Sequence, residues 1–279
     1  MNWSRNEDHI EECFNCGGRE FDASSRWTFG DIQLVACRGC NLLHLWPILM
    51  HEEGVESLND GETGRQIDLM EDGDVVAFNH GNGILDLVES FKSGGRILDV
   101  GCKFGGLLKA ARDRGWDPVG LDVNPAFCEF VSRNGFEIHS TYLENMPESV
   151  EPFDVITMSH VLEHIERPDS ALKAIRERLN PGGLVYIETP DVSSPIAWAV
   201  YRGRWLGVTT PGHVWAYTQR TLTDVISNQG LEVIWSGRWI PYAPTDYPKT
   251  IKGQIRRCLF GAINRFGYGD IVGVLARAA

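Results

Sequence analysis

The stretch Arg96-Ile-Leu-Asp-Val-Gly-Cys-Lys-Phe-Gly-Gly106 constrains this chain more than any other part of it. An apolar run carrying Asp99 breaks into glycines just before Leu107-Leu-Lys-Ala-Ala111, which spells strand, tight turn and helix. Gly101 and Gly105 let the backbone turn sharply and approach a ligand, and the helix offers unpaired amides and its positive dipole end. A cofactor bearing a carboxylate or a phosphate belongs there. The spacing departs from the G-x-G-x-x-G of a dinucleotide turn, because Lys103 stands at the second glycine position. Asp99 suits an ammonium group better than a pyrophosphate, and Asp122, closing the next apolar run, stands where a carboxylate would grip both hydroxyls of a ribose. This is the layout for a nucleoside that carries an amino-acid tail.

Downstream of the turn, strand-like and helix-like segments alternate, which argues for a parallel sheet covered by helices on both faces. Strands are expected at 96–100, 118–122, 137–139, 153–158, 184–189, 231–238 and 271–276. Four motifs occur in order: Ile97-Leu-Asp-Val-Gly101, Gly120-Leu-Asp-Val123, Phe153-Asp-Val-Ile156 running into Ser159-His-Val-Leu-Glu-His-Ile165, and Leu179-Asn-Pro-Gly-Gly-Leu-Val-Tyr-Ile-Glu-Thr-Pro190. With these residues, roughly 80 to 240 of the chain resembles a class I S-adenosylmethionine-dependent methyltransferase, of the branch that includes ubiquinone-biosynthesis O-methyltransferases and sugar and natural-product methyltransferases. The resemblance implies an α/β fold with a Rossmann-like seven-stranded sheet. It implies an S-adenosylmethionine site of Asp99, Gly101, Cys102, Gly105, Asp122, Val123, Leu143, Met158 and Ser159. Asp99, Gly101 and Gly105 would line the methionine end, Asp122 would hold the ribose, 143–147 would border the adenine, and Met158 and Ser159 would lie beneath the sulfonium. Two positions depart from the family pattern: Lys103 replaces a common glycine, and Tyr142 stands near where an acid commonly meets the adenine amino group.

Cysteine usage makes a separate point. Of seven cysteines, four fall as Cys13-Phe-Asn-Cys16 and Cys37-Arg-Gly-Cys40, two knuckles about 20 residues apart. Each knuckle sets two thiolates at the separation a tetrahedral zinc ion requires, and four thiolates close the shell. A segment this short has too little core to hold itself, so structural Zn2+ would supply most of its folding free energy. The expected organisation is a four-cysteine zinc ribbon at 1–47, an acidic linker or helical cap at 48–80, and the methyltransferase domain at 81–279 with a substrate-binding insertion at about 190–217. Trp198, Tyr201, Trp205, Trp215 and Tyr217 of that insertion are either an aromatic wall for the acceptor, with Arg202 and Arg204 beside it for a phosphate, or partly core residues. The basic cluster at 249–257 reads as the solvated face of a helix.

The net charge of −12 argues against a broad nucleic-acid footprint and in favour of a small-molecule acceptor. No run of 18 apolar residues and no signal-peptide segment is present, so a cytoplasmic protein is expected. A sulfonium is already an activated electrophile, so the protein must align donor and nucleophile and, for an alcohol, remove a proton. His160, Glu163, His164 and the later His213 are the candidate catalytic residues. The first three would share one face of a helix. They resemble a divalent-metal site of the ubiquinone-type and small-RNA methyltransferases, with His160 in place of an acid. A second divalent metal at Glu163, His164 and His213 and a metal-free histidine base are both open. The expected reaction is O- or C-methylation of a sugar, nucleotide sugar or natural-product intermediate. The alternatives are an RNA methyltransferase that grips substrate with the ribbon, and an inactive scaffold on the same fold.

Overall fold

Parallel strands buried on both faces read as nearly continuous apolar runs, and such runs build the centre of this molecule. The computed structural model describes residues 3–6, 10–29, 32–51, 75–201, 205–240, 254, 261–262 and 265–278. At the amino end come β1 (Trp3–Asn6), β2 (Phe21–Phe29), β3 (Ile32–Cys37), β4 (Leu43–Trp46) and β5 (Ile48–His51). Then follow α1 (Val75–Glu89), β6 (Arg96–Val100), α2 (Gly106–Asp113), β7 (Asp117–Asp122), α3 (Pro125–Arg133), β8 (Glu137–Ser140) and β9 (Phe153–Ser159). The remaining elements are α4 (Pro168–Arg178), β10 (Leu179–Pro190), α5 (Pro195–Tyr201), α6 (Leu206–Thr209), β11 (Trp215–Ala216), α7 (Gln219–Asn228), β12 (Leu231–Trp239) and β13 (Ile271–Ala278).

The main sheet has seven strands in the order β12-β13-β10-β9-β6-β7-β8. The five strands from β10 to β8 run parallel, and β13 inserts antiparallel between β10 and β12. All seven expected strands are present. The one large boundary difference is β10, which starts at Leu179 because its pairing with β9 skips between Leu179 and Leu184, where Gly182 turns with φ +69°. Side chains alternate between the faces. Leu98, Ile156, Val185 and Ile187 join one core with Leu172 and Val225, whereas Ile97, Val155, Leu184 and Tyr186 join the other with Leu85 and Leu107.

Helix α1 lies backbone to backbone on α2. A Cβ on Gly81 would stand 2.8 Å from Leu107 Cα, and one on Gly106 would stand 2.6 Å from Ala77 Cβ, so only glycines allow this approach. The boundary expected between 80 and 81 therefore falls inside one helix, whose glycine contact needs both sides of it. The acidic residues of 52–74 and the basic residues of 249–257 lie outside the described residues.

The ribbon also departs from its expected limits. It reaches His51, because β5 pairs antiparallel with β1. Its second sheet has the order β11-β4-β3-β2, so the outermost strand is contributed by the 190–217 insertion. Cys13, Cys37 and Leu42 share a continuous core with Trp215, Tyr217 and the main sheet.

Candidate active site

Four sulfurs converge in the ribbon. Cys13 Sγ is 3.6 Å from Cys40 Sγ and Cys16 Sγ is 3.5 Å from Cys37 Sγ. Zinc–sulfur bonds of about 2.3 Å place the sulfurs of a tetrahedron roughly 3.8 Å apart, so the spacing fits such an ion. The knuckles are built alike: Gly17 N–H donates to Cys13 O, Asn41 N–H donates to Cys37 O, and both closing residues are left-handed, at φ +67° and +61°. Burial pushes both thiols up and prevails at Cys13, against the amides of Asn15 and Cys16 that point at its sulfur; at Cys37 the amides of Gly39 and Cys40 and the neighbouring thiols prevail and lower it.

The second centre lies at the carboxyl ends of β6, β7 and β9, on either side of the point where the strand order reverses. Gly101 (φ +73°) starts the turn and Gly105 (φ +73°) ends it as the residue before α2. A Cβ on Gly101 would stand 2.4 Å from Val161 Cγ2, so the turn has no room for a larger residue. Lys103 is also left-handed, at φ +46°, and its amide donates to Asp122 Oδ2 at 3.0 Å. Asp122 Oδ1 accepts from Asn124 N–H at 2.9 Å, and Asn124 in turn caps α3 through Ala126 N–H. Asp122 thus holds the turn and the next helix together.

Beside the turn opens a cavity of about 640 Å3, within the range of small-molecule sites. Gly101, Asp122, Val123, Leu143, Met158, His160 and His164 line it, with Lys103, Tyr142 and Thr210 to Gly212 of the insertion. Other expected residues are set back. Asp99 lies beneath the turn and its Oδ1 accepts from Thr157 Oγ1 at 2.8 Å. Its burial raises the carboxyl to about 7, with the nearby Asp122 adding to the rise and the Thr157 bond opposing it. Cys102 turns away into a small core with Leu108 and Val131. Ser159 Oγ donates to Glu188 Oε1 at 2.5 Å.

His160, Glu163, His164 and His213 do come together, but not on a helix. Residues Leu162–His164 form one 3-10 turn, and His160 precedes it with a left-handed φ of +55°. His160 Nδ1 then stands 3.4 Å from Glu163 Oε1, and His213 Nε2 stands 3.9 Å from the same oxygen. Glu163 is 1% exposed and neither carboxylate oxygen has a hydrogen-bond partner. Burial alone would raise this carboxyl, but His160, His213 and His164 outweigh it and hold the group down at about 2. His213 Nδ1 donates to Gly207 O at 3.0 Å, which leaves the bare Nε2 facing Glu163. Burial lowers His213 to about 4 and lowers His164 as well, so both rings are neutral bases near pH 7. One ligand atom from each of Glu163, His164 and His213 lies within 4.8 Å of the others. These three residues could hold a metal ion, and an imidazole and carboxylate set of this kind suits zinc, iron or manganese. His160 lies outside that triplet.

The aromatic wall is not formed by the residues that can be placed. Trp205, Trp215 and Tyr217 are core residues at 4%, 2% and 0% exposure. The side chains of Trp198, Tyr201, Arg202 and Arg204 lie outside the described residues. A polar cluster that sequence reasoning missed adjoins the cavity floor. Glu188, wholly buried, accepts from Ser159, from Tyr186 OH at 2.7 Å and from His80 Nε2 at 2.5 Å, and His80 stacks on Trp239. Burial works to raise Glu188, but His80 prevails and lowers it. The available signal was a charged residue inside the apolar run Val185-Tyr-Ile-Glu-Thr189.

Known proteins share this architecture. A family model described as a methyltransferase domain matches residues 81–235, more than half of the chain. The chain is 34% identical over 153 residues to a ubiquinone biosynthesis O-methyltransferase of Cereibacter sphaeroides, covering 50% of this chain and 61% of that protein. Among solved structures it resembles a SAM-dependent methyltransferase from Archaeoglobus fulgidus (TM-score 0.52, 18% identity, covering 71% of this chain and 92% of that one). It also resembles an N-methyltransferase from Bradyrhizobium japonicum in complex with S-adenosyl-L-homocysteine (TM-score 0.51, 16% identity, covering 78% of this chain and 97% of that one). At these identities the structures speak for the fold. With the sheet order, the glycine turn held by an acid on the second strand, and a family match over most of the sheet, the chain belongs to the methyltransferase-domain family and is a class I S-adenosylmethionine-dependent methyltransferase.

Proposed function

We propose that this enzyme methylates a hydroxyl or carbon of a small acceptor, a sugar, nucleotide sugar or natural-product intermediate, at the Glu163, His164 and His213 cluster. One observation carries the reading: a single cavity joins Gly101, Asp122 and Met158 on the donor side to His160 and His164 on the other. S-adenosylmethionine, when bound, supplies a methyl group already activated on sulfur. Asp122, Val123 and Leu143 would bind the nucleoside, and Asp99 under the turn would face the amino-acid end. Met158, buried and lining the cavity, would help keep water from the reacting centre. Glu163, His164 and His213 would hold a divalent ion that lowers the acceptor's pKa.

A metal-free variant has one specific support: His164 lines the cavity and its lowered pKa leaves the ring free to accept the acceptor's proton. Similarity to proteins named ubiquinone biosynthesis O-methyltransferase supports including phenols with sugars in a screen, and the chain spans only about three fifths of the length of the first of them. Calorimetric titration with S-adenosylmethionine, followed by a screen of nucleotide sugars and phenols with and without Zn2+, Fe2+ or Mn2+, tests the reading. Micromolar donor binding and metal-stimulated turnover are expected. Donor binding with no turnover on any small acceptor refutes it. Turnover equal in metal and chelator selects the histidine base.

A further inference from the structure

The outer strand of the ribbon is also a wall of the candidate catalytic cluster. β11 pairs antiparallel with β4, with Trp215 opposite His44 and Ala216 opposite Leu43. Leu45 N–H donates to Val214 O at 3.0 Å, and Val214 N–H donates to Glu163 O at 2.8 Å. One residue beside His213, Val214, thus links ribbon strand β4 to the turn that carries Glu163 and His164. Trp215 is fixed from three sides. Its indole N–H donates to Glu166 O at 3.2 Å, the Phe14 ring next to Cys13 meets it edge to face at 4.7 Å, and His44 meets it at 6.2 Å.

A strand of two residues is too short to hold itself; among the described residues β4 is its one partner in that sheet, with a bridge from Asp191 to the following Tyr217. Among the described residues, none from 10 to 51 lines the cavity, so the ribbon touches this site through main chain and packing alone. Catalytic geometry is sensitive at this scale: a displacement of about 1 Å can lower a rate roughly 100-fold.

We propose that the four-cysteine ribbon is a positioning element of the active centre, with Phe14 and Trp215 holding β11 so that His213 and the Glu163 main chain keep their places. The purpose assigned to those places rests on the catalytic reading above; the mechanical coupling does not. The test uses the full chain with its four cysteines intact and compares Phe14→Ala with Phe14→Tyr, which keeps the edge-to-face ring. Amide exchange of residues 213–217 should accelerate at least tenfold in Phe14→Ala, while β6 and β9 exchange as before and S-adenosylhomocysteine binds within threefold of the parent. The 15N ring spectrum of His213 at fixed pH should lose its Nδ1–H signature. Phe14→Tyr should restore both. Unchanged exchange at 213–217 overturns the proposal, as does acceleration spread equally through β6 and β9, which would make the ribbon a general stabiliser. Metal binding at Glu163 is measured separately, so its failure would leave the exchange result standing.

Discussion

Replacing Asp99 by Asn should make the stability of this enzyme less dependent on pH, by an amount the structure sets. Burial raises the carboxyl from its ordinary 3.8 to about 7. At about 1.36 kcal/mol per pKa unit, keeping it ionised in the folded chain costs roughly 4 kcal/mol. The unfolded chain releases this proton near pH 4 and the folded chain near pH 7. Between those values the folded state binds more protons, so stability from this group is complete at low pH, falls as pH rises and levels off above 7. Asn mimics the uncharged acid, and its Oδ1 can still accept the Thr157 hydroxyl. Urea unfolding of both proteins from pH 5 to pH 8 isolates the group, because other titrations cancel in the difference. The variant's advantage should grow by about 3 kcal/mol across that range and then stay level. A difference that does not move with pH refutes the argument, since Asp99 would then be ionised in the fold throughout. The same variant should lose donor affinity, because a neutral amide cannot pair with an ammonium group.

Three further outcomes are expected. Gly101→Ala places a Cβ 2.4 Å from Val161 Cγ2 at a φ of +73°, so thermal unfolding should show about 1–3 kcal/mol of lost stability, and calorimetry at least tenfold weaker donor binding. Cys37→Ser removes one of four converging sulfurs; metal analysis should find about one zinc per chain fewer in the variant than in the parent, with increased proteolysis of residues 10–51. Glu163→Gln keeps the shape of the buried side chain but not its charge, and should retain donor affinity while lowering turnover at least 100-fold and weakening Co2+ binding at His164 and His213. Equal turnover in that variant would remove Glu163 from the mechanism.

The sheet was legible because its strands are buried on both faces, so β6, β7 and β9 appear as largely apolar runs that break at a glycine turn, at Asp122 and at Ser159. The knuckles were legible because a metal shell imposes its own spacing on the sequence. What escaped notice depends on contacts between distant residues. β11 has two residues and therefore no period to detect, and its partner lies some 170 positions earlier. Glu188 and His80 are 108 positions apart. His160 reaches Glu163 through a left-handed backbone that nothing in its neighbours' identities demands. Trp205, Trp215 and Tyr217 show the limit of composition: aromatics rich enough to suggest an acceptor wall were used to join the insertion and the ribbon to the core.

The glycine crossing of α1 on α2 has a mechanical corollary. No side chain separates the backbones at Gly81 and only the Ala77 methyl does so at Gly106, so the helices can meet in one register only, because sliding α1 by a turn would bring Leu85 or Ala77 into the place of Gly81. Helix α1 is a latch with a single notch. No described residue of it lines the donor cavity. The notch and the cavity share no described residue, so the latch can stay shut while the cavity fills and empties.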